Sequence, residues 1–461
     1  MAASPDERQL GARQSAKAMT KPARMLGLMA ADDSWARAVR LARIDATPPR
    51  NDPRVLPRNV IFVAPFPSPA TMRFVRAVSR LDDVRLLGIV HTPPPAEEGP
   101  VYHDMVRVTE PTSLSDVLEG VEILSRRHGA PFRIVGILEM MLVTLAHARA
   151  RYGVAGTDPK TAQLFREKAR MKDALRAAGL PVARHRLLGS EEGARDFAAE
   201  VGFPMILKPP AGMGAKATFR VSSWDELLRA LQGLGVGPGS PVLAEEMLRG
   251  SEHSFETITI GGEPRVFSIS NYQPGCLEVL ETPWIQWACV LPREVDTPLA
   301  ARAKELGFAA VRALGLEDGM THMEWFQRSD GSLAIGEIAA RPPGAQLLHM
   351  TGVVHDIDVY RAWARAVVDG ELDAPWERRW AAGCAYVRGM GRGRVVAVTG
   401  VHETHEAVGK YLVEARLPSI GAQKNDSYEG DGYVIVRHES TAKVQELIAT
   451  ILRTLKIHYA D

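Results

Sequence analysis

The sequence predicts a chain of mixed class: a doubly wound α/β domain near the N-terminus, then segments of antiparallel strands and helices. Three observations carry this. The 461 residues are enough for two or three domains, each with a sizeable core. Between about residues 56 and 155, short continuous apolar runs alternate with stretches of helical spacing, the pattern of a parallel sheet covered by helices. Beyond residue 250, apolar runs are joined by turns such as Gly261-Gly262 and Arg328-Ser329-Asp330-Gly331-Ser332, the hairpin signature.

The elements follow in order. Residues 1–55 are rich in Ala, Arg, Asp and Pro and read as a loosely ordered tail, with one amphipathic helix at Ser34 to Asp45. Asp6, Glu7, Asp32 and Asp33 break the basic character of a transit peptide, and there is no signal-peptide core. Asn59 to Ala64, Arg85 to Val90, Met105 to Val108 and Arg133 to Ile137 are strands; Thr71 to Arg80, Leu114 to His128 and Leu142 to Tyr152 are helices. Thr161 to Gly179 reads as one long helix, closed by Gly179 ahead of Pro181. Residues 182–250 hold strand, helix and a Gly-rich loop. Ser254 to Gln273 alternates like a hairpin, and Leu299 to Leu314 is a helix. A further helix spans Asp358 to Val368. Gly383 to Val387, Arg394 to Thr399 and Gly432 to Val436 are strands, and Ser440 to Thr454 closes the chain as a helix.

Composition excludes several classes. A net charge of +1 provides no global field for nucleic acid or a membrane surface. Cys276, Cys289 and Cys384 are far apart in sequence and form no Cys-x-x-Cys, so neither a disulfide framework nor a thiolate metal site is expected, and a cytoplasmic location fits. No apolar run reaches the roughly 18 residues of a membrane span. No Gly-x-Gly-x-x-Gly follows the first strand, so that domain is given no dinucleotide, and no Walker A motif is present. His402-Glu403-Thr404-His405 is one residue short of a zinc motif. Arg388 to Arg394 reads as a tight turn, without the aromatics that an RNA site interleaves. Trp284 and Trp287 read as core, in a segment that would border a substrate pocket.

Three constellations carry chemistry. In the first, Glu324 and Glu337 sit on the two arms of a predicted hairpin, followed by Arg341. Two carboxylates held side by side repel unless a cation lies between them, and magnesium takes one or two carboxylates plus water and phosphate oxygens. Arg341 adds a planar fork suited to phosphate or carboxylate. In the second, an apolar strand ends in Lys208-Pro209-Pro210-Ala211-Gly212-Met213-Gly214, where glycines let backbone N–H groups turn toward an anion. In the third, Val242 to Ala244 runs into Glu245-Glu246-Met247-Leu248, with Glu252 beyond Gly250. Backbone around Glu246 and Leu248 suits an adenine edge, and Glu252 suits ribose hydroxyls.

In this order and spacing the pieces resemble the ATP-grasp superfamily. The resemblance covers about residues 158–375, with the flanking domains also placed as in that family. It implies two α+β lobes clasping ATP, between an N-terminal α/β domain (56–157) and a C-terminal lobe (376–461), with 182–250 as lid. Lys168, eleven residues before Gly179-Leu180-Pro181, resembles the first ATP lysine, and Lys208 the second. Gly212 and Gly214 fall in the lid loop. Glu245, Glu246, Leu248 and Glu252 resemble the hinge and ribose segment. Glu324 and Glu337 resemble the metal ligands, for Mg2+ with Mn2+ as alternative, and Arg341 the arginine that steadies the phosphoryl intermediate. His322 either orients a substrate carboxylate or is a hydrogen-bonded core histidine. The common Glu-x-Asn is absent, with Ala339 in the Asn position. Glu337-Ile338-Ala339-Ala340-Arg341-Pro342-Pro343-Gly344 is instead similar to the Glu-x-x-Ala-Arg-x-x-Gly of L-amino-acid (dipeptide) ligases, and Pro342 matches a purine-pathway pattern. The resemblance therefore implies a carboxylate–amine ligase acting through an acyl phosphate on small-molecule substrates, with a homodimer compatible. The alternatives are a formate- or bicarbonate-phosphorylating enzyme and an ATP-binding module without catalysis.

Overall fold

The structure, a computed structural model, describes residues 56–96, 99–211, 218–282 and 284–460. The expected N-terminal tail and its helix lie outside the described residues, as does the lid-loop stretch 212–217.

The first layer is built from β1 (Arg58–Val63), α1 (Pro69–Ser79), β2 (Val84–Val90), β3 (Asp104–Arg107), α2 (Leu114–His128), β4 (Arg133–Val135) and α3 (Leu142–Tyr152). Its strands pair in parallel in the order β3-β2-β1-β4. β1 is buried over nearly its whole length, which is why it reads as a continuous apolar run. Ser68 and Ser113 start α1 and α2 by accepting backbone N–H groups with their side chains. After β4 the chain enters a short 3₁₀ turn, Glu139–Met141.

The single helix expected over Thr161 to Gly179 is two: α4 (Pro159–Arg166) and α5 (Lys168–Ala177). Glu167 between them is extended, with φ −99° and ψ 102°. A tertiary hydrogen bond explains the break, since the Lys168 N–H donates to the carbonyl of Pro210 at 3.2 Å. Apolar spacing continues across the break, so periodicity alone does not show it.

Residues 182–250 form a small unit of β5 (His185–Leu188), α6 (Glu191–Val201), β6 (Met205–Lys208), β7 (Phe219–Val221), α7 (Trp224–Gly233) and β8 (Val242–Glu246). The strands make an antiparallel sheet in the order β5-β8-β6-β7, over a core that includes Phe197, Leu207 and Leu227.

The remainder contains β9 (Ser251–Ile260), β10 (Glu263–Gln273), α8 (Cys276–Glu281), β11 (Trp287–Leu291), α9 (Pro298–Leu314), β12 (Gly319–Gln327), β13 (Leu333–Ala339), α10 (Leu347–His355) and α11 (Val359–Asp369). It continues through β14 (Ala381–Val387), β15 (Arg394–Thr399), α12 (Val401–Val408), β16 (Leu412–Arg416), β17 (Gly432–His438), α13 (Thr441–Thr454) and β18 (Lys456–Ala460). Eight of these strands form one sheet, β13-β12-β9-β10-β11-β14-β17-β16. Of the strands after residue 376, β14, β17 and β16 thus extend the sheet that carries the glutamate hairpin, while β15 and β18 pair in a separate two-stranded sheet. Gly261 and Gly262, at φ 59° and 78°, supply the left-handed pair that a two-residue hairpin turn requires. On one face of the sheet α9 packs against Phe255, Met323 and Trp325. Gly307 permits that approach, because a Cβ there would lie 2.3 Å from the Phe255 ring. Trp287 is core, stacked on Tyr386 at 4.4 Å, whereas Trp284, also read as core, is 65% exposed. The three cysteines are all free, and β11–β14 pairing sets Cys289 opposite Cys384.

Candidate functional site

The hairpin β12–β13 sets Glu324 directly opposite Glu337. The turn between them is closed by the Asp330 carboxylate, which accepts from the Ser332 backbone at 2.8 Å, and by Gly331 at φ 79°. The register then shifts between Glu324 and Trp325, leaving Gly336 as the extra residue of a β-bulge. The Gly336 carbonyl accepts from the ammonium of Lys172. The bulge thus serves two ends: the carboxylates face each other, and a backbone carbonyl anchors a buried lysine.

Three lysines converge on these acids. Lys168, at the start of α5, donates to Glu337. Lys208, the last residue of β6, lies 3.0 Å from Glu245 and 3.9 Å from Glu337. Lys172, fully buried, lies 3.3 Å from Glu245. The result is an alternating ladder, Lys168–Glu337–Lys208–Glu245–Lys172. Burial alone would raise the pKa of Glu337, but Lys168 and Lys208 hold it down at about 2. Burial likewise opposes ionisation of Glu245, and Lys172 with Lys208 brings its pKa below the usual carboxylate value. Lys208 resists burial through Glu245 and Glu337 and is shifted upward. Lys172 goes the other way, because desolvation outweighs its attraction to Glu245.

Beyond Glu324 the same face of the sheet continues. Antiparallel register places Glu256 opposite His322, which in turn lies opposite Ala339. His322 Nδ1 is 2.9 Å from Glu256 and its Nε2 is 3.8 Å from Glu324. Burial pushes the imidazole pKa down, but the hydrogen bond to Glu256 and the nearby Glu324 carboxylate carry it up to about 9. His322 is thus a buried, hydrogen-bonded histidine, as one of the two readings had it, and it lines the cavity. Arg341 donates through Nε to Glu139 at 2.9 Å and through Nη1 to the carbonyl of Pro342 at 3.0 Å. Glu252 accepts from the Cys276 N–H at 3.0 Å, and burial next to Glu324 pushes its pKa up to about 8.

One cavity of about 410 Å³ joins these groups. Lys168, Lys208, Glu245, Glu246, Leu248, Glu252, His322, Glu324, Glu337 and Arg341 all lie on its wall. Glu246 lends only part of itself, since its carboxylate is taken by Arg184 at 2.9 Å and Arg328 at 3.1 Å. Gly212 and Gly214 lie outside the described residues. Sequence reading missed Lys172, Glu139 and Glu256. Lys172 follows Lys168 by one helical turn, and Glu256 alternates with Glu252 and Ser254 on one strand face, so both had a signal in spacing. Glu139 had none. Among the described residues no group of three or more His, Cys, Asp and Glu gathers for a metal. Two opposed carboxylates beside an open cavity fit an ion that completes its shell with water and phosphate oxygens, as magnesium does.

No family model matches the chain. It is 28% identical over 266 residues to the L-arginine-specific L-amino acid ligase of Bacillus subtilis, a match that covers 57% of this chain and 63% of that one. The chain thus spans a little under two thirds of that curated relative. Among solved structures, the L-amino acid ligase from Bacillus licheniformis superimposes with a TM-score of 0.71 at 16% identity, over 88% of this chain and all of that one. The N5-carboxyaminoimidazole synthase of Aspergillus clavatus, in complex with ADP and 5-aminoimidazole ribonucleotide, gives 0.65 at 20% identity, covering 86% and 99%. The chain thus has the fold of these solved ligases and is similar in sequence to an L-amino acid ligase.

Proposed function

We propose that this protein is an ATP-dependent carboxylate–amine ligase acting through an acyl phosphate. The observation that carries the reading is the in-register Glu324–Glu337 pair, flanked by the lysine ladder on one side and by His322 and Arg341 on the other. Glu324 and Glu337 would hold Mg2+, with Mn2+ as an alternative ion. Bound magnesium supplies charge neutralisation for the phosphate oxygens. Lys168 and Lys208 would add fixed positive charge to the phosphate chain, and Glu245 keeps the Lys208 ammonium in place. The backbone of residues 246–248 would receive the adenine edge and Glu252 the ribose. A substrate carboxylate attacks the terminal phosphoryl group, and ADP leaves. An amine then displaces phosphate from the acyl phosphate, so that ADP, phosphate and an amide are formed. Arg341 would steady charge on the transferring group, and His322, held by Glu256, would orient the substrate carboxylate. The protonated imidazole is suited to that role, since it faces an anion.

Ala339 supports an amino-acid or similar small carboxylate as substrate. It is the small residue opposite His322, where a bulkier partner would fill the face. The relatives named as L-amino acid ligases point the same way. A second reading, phosphorylation of formate or bicarbonate, is favoured by Arg341-Pro342 and by the likeness to the carboxyaminoimidazole synthase.

The test is phosphate release from Mg-ATP by the full chain, over panels of L-amino acids and other small carboxylates against amines. Turnover is expected to require both a carboxylate and an amine. Turnover independent of any carboxylate would remove the ligase reading, and turnover with formate or bicarbonate alone would replace it with the second. ATP binding without turnover on any panel would leave a binding module. Sizing of the purified protein checks the dimer that the family resemblance allows.

A further inference from the structure

The N-terminal domain carries no dinucleotide motif, yet the open end of its sheet reaches the catalytic cavity. In a doubly wound sheet, ligands are received beyond the C-terminal strand ends, where the strand order reverses. Here that point lies between β1 and β4, and the turn Glu139–Met141 follows β4. Glu139 is 4% exposed and lies on the wall of the large cavity. Its Oε2 accepts from Arg341 Nε at 2.9 Å, and its Oε1 lies 3.4 Å from Arg166 Nη1. With Nη1 on the Pro342 carbonyl, two of the three guanidinium nitrogens of Arg341 are fixed. Nη2 makes no hydrogen bond among the described residues. One carboxylate is shared by two guanidinium groups, so Arg341 is aimed without losing its net charge.

We infer that Glu139 is a positioning residue for the phosphoryl end of the site: it holds Arg341 with its free edge toward the transferring group. The N-terminal domain is therefore part of the catalytic apparatus. This rests on the assignment of Arg341 made above.

The experiment compares the affinity of the full chain for Mg-ADP with and without aluminium fluoride, a phosphoryl mimic, by calorimetry. Wild type is expected to bind Mg-ADP about tenfold or more tighter with the mimic. Glu139→Ala is expected to lose that tightening, as Arg341→Ala does, while both keep wild-type affinity for Mg-ADP alone. Wild-type tightening in Glu139→Ala, with loss in Arg341→Ala, overturns the positioning role and leaves Arg341 in place. Tightening retained in Arg341→Ala overturns the reading of Arg341 itself, and no tightening in wild type overturns the phosphoryl site. If Glu139→Ala melts below the assay temperature, Glu139→Asp decides, because it keeps the charge but withdraws it by one methylene. Loss of tightening there supports the role, and wild-type behaviour overturns it.

Discussion

At the scale of single residues, the cavity works by compensation of buried charge. Glu245 and Lys172 are taken out of water and Glu337 and Lys208 are part-buried, and each is tolerated because an opposite charge lies alongside. Removing Lys208 leaves Glu245 with Lys172 alone and Glu337 with Lys168 alone. Lys208→Ala is expected to abolish turnover and to cost about 3 kcal/mol of stability through Glu245, measured by denaturant unfolding. Lys208→Met, which keeps the stem, is expected to be as inactive. His322 gives a pH signature. Its pKa in the folded protein, about 9, is above the roughly 6.5 of an unfolded histidine. Its contribution is thus complete below about pH 6.5 and lost as pH rises through 9. The gap in melting temperature between wild type and His322→Asn is expected to narrow between pH 6.5 and 9.5. A gap that stays constant would show that the pair with Glu256 is not ionised. Glu337 has the opposite sign: its contribution is present above about pH 4.5 and lost as pH falls through about 2.

At the scale of elements, local chemistry and tertiary contact divide the work unevenly. Hairpins were legible because their turns are specified by Asp330-Gly331 and Gly261-Gly262. The glutamate pairing was legible for the same reason, since one turn fixes the register of both arms. The bulge at Gly336 was not, because nothing in the alternation of β13 marks which residue is displaced. The break at Glu167 was also hidden, since its cause is a carbonyl of Pro210, more than forty residues away. That break starts α5 at Lys168, so an element boundary places a lysine of the cavity wall. The contact of α9 with Phe255 belongs to this scale too. Phe255→Ala is expected to cost about 3–5 kcal/mol. Gly307→Leu is expected to destabilise by a similar amount, because its side chain meets the aromatic ring. Both are measured by chemical denaturation, and a neutral Gly307→Leu would show that α9 can move aside.

At the scale of the whole molecule, the layer of β1 to β4 is tied to the rest by charge as well as by apolar packing. Arg73 of α1 reaches Glu414 of β16 at 2.9 and 3.1 Å, and Glu414 also lies 3.2 Å from His349 Nε2 and accepts from the Tyr433 hydroxyl. Burial alone would raise the Glu414 pKa; His349, Tyr433 and Arg73 hold it at about 2. Arg73 is 29% exposed, so solvent screens part of this attraction. Glu414→Gln is expected to cost about 1–2 kcal/mol at pH 7 and progressively less as pH falls toward 2. An equal loss at pH 7 and pH 3 would place the effect in packing instead.

The sequence by itself determined the class of every early strand and helix, the hairpin that opposes two carboxylates, and ten residues of the cavity wall. Those features depend on residues close in the chain, or on a spacing that a period of 2 or 3.6 makes visible. Tertiary structure alone decided the rest. It split one helix in two, joined β14, β17 and β16 to the sheet of the glutamate hairpin, and brought Cys289 beside Cys384. It also carried Glu139 across from the turn after β4 to Arg341. Each of these is a contact between segments distant in sequence, and no local periodicity encodes a partner that the fold has yet to bring near.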